Sequence, residues 1–179
     1  MPTIDSPSLE SRIARIEARQ EIEQLLNRYA VLIDDHEFGE LASLFAVDAV
    51  FGSPGSVTTG RAAIEEMYAS RGDLYPISLH VVHGLVLDFD DDEHAHAIVL
   101  GFSEQANSDK TVITQFRYHD AYVRVGGSWL FASRKVLTLY AMSHAELAAG
   151  GLTHELRKRW PHRDPVVAEL PVFYLSPGN

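Results

Sequence analysis

The sequence has no cysteine among its 179 residues. Disulfides and thiolate metal sites are therefore excluded, and a reducing compartment is permitted. Basic residues are also scarce: 15 Lys and Arg stand against 25 Asp and Glu, a formal net charge of -10. Nucleic acid or an anionic membrane surface needs Lys and Arg gathered on the contact face, so neither partner is expected. No apolar run approaches the ~20 residues of a membrane-spanning helix. Met1-Pro2-Thr3-Ile4-Asp5 lacks the basic stretch followed by an apolar one that opens a secretory signal, and a cytoplasmic location is the expectation. Glycine loops for phosphate are missing: no G-x-G-x-x-G follows a strand-like segment, and no G-x-x-x-x-G-K-[ST] occurs. Gly52-Ser53-Pro54-Gly55-Ser56 is not a G-x-S-x-G nucleophile elbow.

Metal ligands are thin as well. His94-x-His96 would put two imidazoles on one side of a strand, a workable pair. Leu100 and Gly101 stand where a carboxylate would have to follow, and the neighbouring Asp90-Asp91-Asp92-Glu93 reads as a solvated turn. His80 and His83 are odd-spaced, which points their rings to opposite faces of a regular strand. Neither a metal nor a cofactor is expected.

What is present suits one domain with an appendage, since 46% hydrophobic residues in a chain of this length can bury a substantial core. Ser6-Pro7 offers a helix start. An apolar stripe on Leu9, Ile13 and Ile16 slips around Ala18 to Gln20 and resumes on Ile22, Leu25, Leu26, Tyr29 and Ile33, which predicts two helical pieces. Phe38, Leu41, Leu44 and Phe45 predict a short second helix, residues 49–52 a brief strand and 52–55 a loop. A third helix over 61–71, with Ile64, Met67 and Tyr68 inward, should stop at Gly72.

From Ile77 the period changes to two. Strands are predicted over 78–89, 94–105, 111–125 and 128–140, separated by turns rich in Asp, Asn, Ser and Gly. Such short connections force antiparallel pairing. The fold class is α+β: a strongly bent, mixed or antiparallel sheet wrapped as a cone around about three helices, kinked at Gly84 and Gly101. The domain spans 1–142. An extension over 143–179 opens with the capping box Ser143-x-x-Glu146 and continues with a helix over 153–160. Its apolar tail over 166–174 should cover the cavity mouth or a neighbouring subunit.

The chemistry is concentrated at two points. Asp34 closes the first helical pattern, where a carboxylate faces the negative end of the helix dipole at a cost of ~0.3–1 kcal/mol. A partner that gains from a nearby negative charge would explain it. His80, in Ile77-Ser78-Leu79-His80-Val81-Val82, is the candidate, giving an Asp34–His80 dyad with Tyr29 beside it. A lone strand histidine satisfied within the core is the plainer alternative, and plain packing is the commoner role for every apolar residue on the cavity wall.

Tyr29-(x4)-Asp34, Leu41-(x2)-Leu44-Phe45-(x2)-Asp48-Ala49 and Gly60 opening a helix form one part of a larger pattern. His80 three residues before an Asn-like position, Tyr118 to Arg124, Gly127-Ser128-Trp129 and Arg134 form the other. Together, over residues 10–140, they resemble the SnoaL-like branch of the nuclear transport factor 2-like superfamily, which includes scytalone dehydratase, dehydrochlorinases and polyketide cyclases. The resemblance implies the cone fold, an Asp34–His80 dyad, a polar catalytic helper at Tyr29 and a cavity cation near Arg134. It also implies a homo-oligomer, with a trimer favoured. His83 departs from the family's Asn, Phe116 from a Gly before the tyrosine, and Leu100-Gly101-Phe102 carries no second-strand histidine.

The expected activity is a cofactor-free lyase reaction of the dehydratase type. Asp34 would orient His80, His80 would take a proton, and Tyr29 would hydrogen-bond a carbonyl or departing oxygen. The small, hydrophobic, cyclic substrate would meet Arg134, Phe38, Phe51, Met67, Tyr68, Phe116, Tyr118 and Tyr140. An isomerase, cyclase or hydrolase on the same fold, or a non-catalytic ligand-binding or assembly subunit, stands as the alternative.

Overall fold

The computed structural model describes residues 8–171. The first helix, α1, runs over Leu9–Asp34, capped by the Ser8 side chain, which accepts from the Ser11 N–H at 3.1 Å. Ser6 and Pro7 lie outside the described residues. The predicted break near Ala18 does not occur. No glycine or proline interrupts the segment, and an Arg19–Glu23 ion pair at 2.9 Å bridges the slip one turn apart. The change of stripe marks where the helix reaches the body of the protein. Leu9, Ile13 and Ile16 are exposed, whereas Ile22, Leu25, Leu26 and Tyr29 are buried.

The end of α1 is a Schellman motif. The Glu37 N–H bonds to the Leu32 carbonyl at 3.0 Å and that of His36 to Ile33 at 3.4 Å. His36 occupies the left-handed position, φ 59°, where glycine is usual.

Helix α2 (Phe38–Ser43) is shorter than predicted, because Phe45, despite its helical spacing, begins strand β1 (Phe45–Ser53). The expected loop over 52–55 narrows to a turn at Pro54-Gly55, with Gly55 at φ 84°, because β1 runs on to Ser53. The turn leads into strand β2 (Ser56–Thr59), which the sequence reading did not include. Helix α3 (Arg61–Leu74) continues through Gly72. Gly72 makes room there rather than ending the helix: a Cβ would lie 2.6 Å from the Phe38 ring.

Four long strands follow: β3 (Ile77–Phe89), β4 (His94–Ala106), β5 (Thr111–Val125) and β6 (Ser128–Met142). The sheet order is β2-β1-β6-β5-β4-β3. All neighbours are antiparallel except β1 and β6, which run parallel. The hairpin argument reaches only consecutive strands, and the chain meets β1 again only after three hairpin returns. Register shifts at Val82/Gly84, Gln115/Phe116 and Ala121/Tyr122 bend the sheet around the helices. The sheet does not close into a barrel.

The core joins Ile22, Leu26 and Tyr29 of α1 to Ile64 and Tyr68 of α3 and to Phe45, Val99, Tyr118, Tyr122 and Phe131 of the sheet. Among the described residues no helix is long and apolar enough to cross a membrane.

After β6 the capping box forms as predicted. The Ser143 side chain accepts from the Glu146 N–H at 3.3 Å, opening α4 (His144–Ala148). The helix predicted over 153–160 is absent; only a 3-10 turn at Gly151–Thr153 precedes extended chain. Its backbone groups are bonded elsewhere: Ala141 N–H donates to the Arg157 carbonyl at 2.8 Å, and Lys158 exchanges bonds with Val166 at 3.1 and 2.9 Å. The buried Arg157 side chain donates to the carbonyls of Leu139, His154 and Leu170. Ala168 and Leu170 are buried beside β6, and residues 172–174 of the apolar tail lie outside the described residues.

Candidate active site

A cavity of about 230 Å3 opens between α1, α3, the inner face of the sheet and the C-terminal extension. Inward positions of β3 alternate with exposed ones, so Ser78, His80 and Val82 face the interior while His83 is exposed. The end of α1 reaches β3 at this point. Asp34 Oδ1 is 2.7 Å from His80 Nδ1 and accepts from the Ser78 hydroxyl at 3.0 Å; Asp34 Oδ2 accepts from the His80 backbone N–H at 2.7 Å. Burial raises the Asp34 pKa, but the bonds from the His80 ring and backbone, its charge and Ser78 outweigh that effect and hold it below the ordinary carboxylate value. With a carboxylate as acceptor, Nδ1 carries the hydrogen, which leaves Nε2 as the basic nitrogen of the neutral ring. The unfavourable helix-end charge is thus matched by three donors.

Beside the dyad is a stack of phenols. The Tyr29 and Tyr68 hydroxyls are 2.6 Å apart, and the Tyr29 ring meets Phe45, Tyr68, Tyr118 and Phe131 edge-on at 5.7–6.3 Å. Burial and the Tyr29 phenol push Tyr68 and Tyr118 well above the ordinary tyrosine value, so both remain hydrogen-bond donors.

Arg134 lies beneath this stack, not on the cavity wall. Its guanidinium sits 4.0–4.2 Å from the Tyr29, Tyr118 and Phe131 rings. It forms a fully buried two-pronged pair with Asp120 at 2.9 and 2.6 Å, and Asp120 also accepts from the Tyr122 hydroxyl at 2.9 Å.

The cavity therefore gathers Tyr29, Phe38, Phe51, Tyr68, His80, Phe116 and Tyr118, with Asp34 behind His80. Met67 packs against the core and Tyr140 is half-buried on β6; neither lines the cavity. Phe116 reaches it by lying over Gly101, where a Cβ would be 2.2 Å from the ring. Sequence reasoning missed Ser78, whose signal was its position two residues before His80, on the same face of the strand. It also missed His36, stacked 5.1 Å from Phe38, and expected the extension to meet the cavity through its tail over 166–174, whereas Lys158, Trp160, His162 and Arg163 line it.

Elsewhere His94 and His96 are exposed and tied to Asp91 and Asp90 at 3.0 Å each. Among the described residues no group of three or more His, Asp or Glu could hold a metal ion.

An α+β cone with an acid, a histidine and phenols at its inner wall defines the class. The chain belongs to the SnoaL-like domain family, whose model matches residues 14–135. Among solved structures it resembles a candidate scytalone dehydratase from Novosphingobium aromaticivorans DSM 12444: 22% identity, TM-score 0.70, 74% of this chain and 91% of that one. LinA gives 21% identity, TM-score 0.71, 75% of this chain and 95% of that one. Hexachlorocyclohexane dehydrochlorinase LinA-type3 from Novosphingobium barchaimii LL02 gives 18%, 0.67, 75% and 94%. At these identities the likeness is one of fold, the nuclear transport factor 2-like fold. No curated protein matches the sequence.

Proposed function

We propose that the protein is a cofactor-independent lyase that removes a proton and a leaving group from a small hydrophobic, cyclic substrate, with Asp34 and His80 as the catalytic dyad. The observation that carries this reading is the Asp34 carboxylate bonded to both the ring and the backbone of His80 at the wall of a cavity lined by aromatic rings and hydroxyls. His80 Nε2 takes a proton from carbon, and the C–H electron pair becomes the new double bond. The leaving group departs from the adjacent carbon with its bonding pair. Where that group is hydroxide, the imidazolium returns its proton and water leaves. Asp34 stabilises the imidazolium between these steps.

The Tyr29, Tyr68 and Tyr118 phenols are placed to donate to a carbonyl or departing oxygen. The similar structures include a candidate dehydratase and a dehydrochlorinase, which share this reaction class. The phenols would serve equally an enolate that is re-protonated on another carbon, which is isomerase chemistry; product analysis separates the two.

The test is a panel of cyclic β-hydroxy and β-halo ketones followed by the absorbance of the conjugated product, with substrate deuterated at the acidic carbon. Turnover with a primary isotope effect, abolished in a folded His80→Ala variant, is the expected result. Full activity in that variant overturns the reading.

A further inference from the structure

The chain is acidic overall, yet no Asp or Glu lines the cavity among the described residues. Its mouth carries the opposite charge. Arg71, near the end of α3, has its guanidinium over the Phe51 ring at 5.6 Å, and Arg163, from the C-terminal extension, lies over Trp160 at 5.8 Å. Among the described residues neither has an ion-pair partner. His162 stands between them in the lining, its Nδ1 3.0 Å from the Tyr75 hydroxyl. Lys158, the remaining lining cation, is already neutralised by Glu169 at 2.5 Å.

The His162 imidazole is held below its ordinary pKa by burial and then by the charges of Arg163 and Arg71. Two guanidiniums therefore act on one patch without a carboxylate to offset them. Two cations without a paired acid give an incoming anion a favourable partner at this end of the cavity. The rings of Trp160, Tyr75 and His162 pack together at 6.0–6.4 Å and give the same patch an apolar floor.

We propose that the mouth is a carboxylate subsite, and that the substrate is an apolar ring system bearing a carboxylate received by Arg71 and Arg163. The planar fork of each guanidinium suits a carboxylate in two-pronged contact. Inside the mouth the aromatic rings share the wall with the hydroxyls of Ser78, Ser103, Thr114 and Thr138. With Lys158 already paired, the unpaired cations among the described residues of the lining are those of the rim, so the acid group stays there while the ring body enters. This rests on the cavity being a substrate site, but it assigns the substrate class independently of the reaction performed at His80.

The test uses a matched pair of ligands, 2-naphthoate and 2-naphthamide, titrated into the full-length protein by calorimetry. Naphthoate is expected to bind more tightly than the amide by roughly 10-fold or more, the scale of a hydrogen-bonded charge, and to weaken as salt is raised. In Arg71→Gln/Arg163→Gln, whose changed side chains are exposed and leave the core intact, the preference should vanish with amide binding unchanged. Equal affinity for both ligands in the wild type, no binding of either, or a preference that survives the double variant, overturns the subsite. Because the readout is equilibrium binding, a His80→Ala protein that keeps the preference but lacks turnover supports the subsite whatever its bearing on the dyad.

Discussion

The ring Nδ1 and the backbone nitrogen of His80 each lie 2.7 Å from a different oxygen of Asp34. One carboxylate thus fixes both the position of the strand and the orientation of the imidazole it carries. An amide in its place cannot do both. Its oxygen satisfies one donor while its NH2 faces the other, and an NH2 against Nδ1 forces the hydrogen onto Nε2, the nitrogen proposed as the base.

Asp34→Asn should therefore lose activity with its fold retained. Once a substrate is in hand, Asp34→Asn and His80→Ala are each expected to lower kcat by ~10²–10⁴-fold. The double variant should be little worse than either single one, as members of one catalytic unit are strongly non-additive. Additive losses would count against a dyad.

Acid stability should carry the signature of the same carboxylate. Its folded-state pKa lies below the unfolded value. The stabilisation is thus present above ~3.9 and lost as pH falls through the folded-state value. Urea unfolding between pH 2 and 5 should show a shallower fall in stability for Asp34→Asn than for the wild type; identical slopes would refute the assignment.

The buried ion pair sets a larger penalty. Arg134→Met leaves Asp120 without its guanidinium in the core, a loss of ~3–5 kcal/mol. Arg134→Lys should also be costly, because an ammonium cannot reproduce the two-pronged bond to Asp120 together with contact to three rings. Denaturant midpoints measure both, and a neutral Arg134→Lys would contradict the geometry.

Gly101→Ala tests the packing of the cavity wall. The added methyl meets the Phe116 ring, so overpacking of ~1–3 kcal/mol is expected, with the ring pushed toward the cavity and ligand affinity reduced. Pairing it with Phe116→Leu should restore part of the stability. A thermal melt and a binding titration read the two effects.

Self-association is the remaining expectation. Ile77, Leu79 and Val81 alternate along the outward face of β3 and are 69, 48 and 38% exposed, an apolar stripe on an edge strand that calls for cover. Multi-angle light scattering should show an oligomer, a trimer by family resemblance, and Leu79→Glu with Val81→Asp should shift it to monomer. A wild-type monomer at micromolar concentration would end this claim.

How far the sequence could be read depended on the range of the interactions. The four long strands and α3 were legible because alternation, helical spacing and turn residues are local. Asp34 and His80 could be paired because a misplaced helix-end charge and a strand histidine are each visible alone. Phe45 departs from its helical spacing because sheet pairing to Phe131 wins, a contact made across nearly half the chain. The break expected near Ala18 misread a change of surroundings as a change of structure. The stretch 153–160 carries a helix-compatible pattern, but its hydrogen bonds are taken by Ala141 and Val166, which no local rule anticipates. Arg134 was recognised as important and placed on the wall; only three-dimensional packing puts it under the tyrosines.

Arg157 donates to backbone oxygens from three separate stretches. Its anchorage leaves the side chains of Trp160, His162 and Arg163 outside the hydrogen-bond ladder of the sheet. The rim side chains can therefore be changed without breaking a backbone bond of the sheet. For an engineer, this chain offers a doorway apart from the room behind it, where preference among ligands could be retuned at three positions distant in sequence from Asp34 and His80.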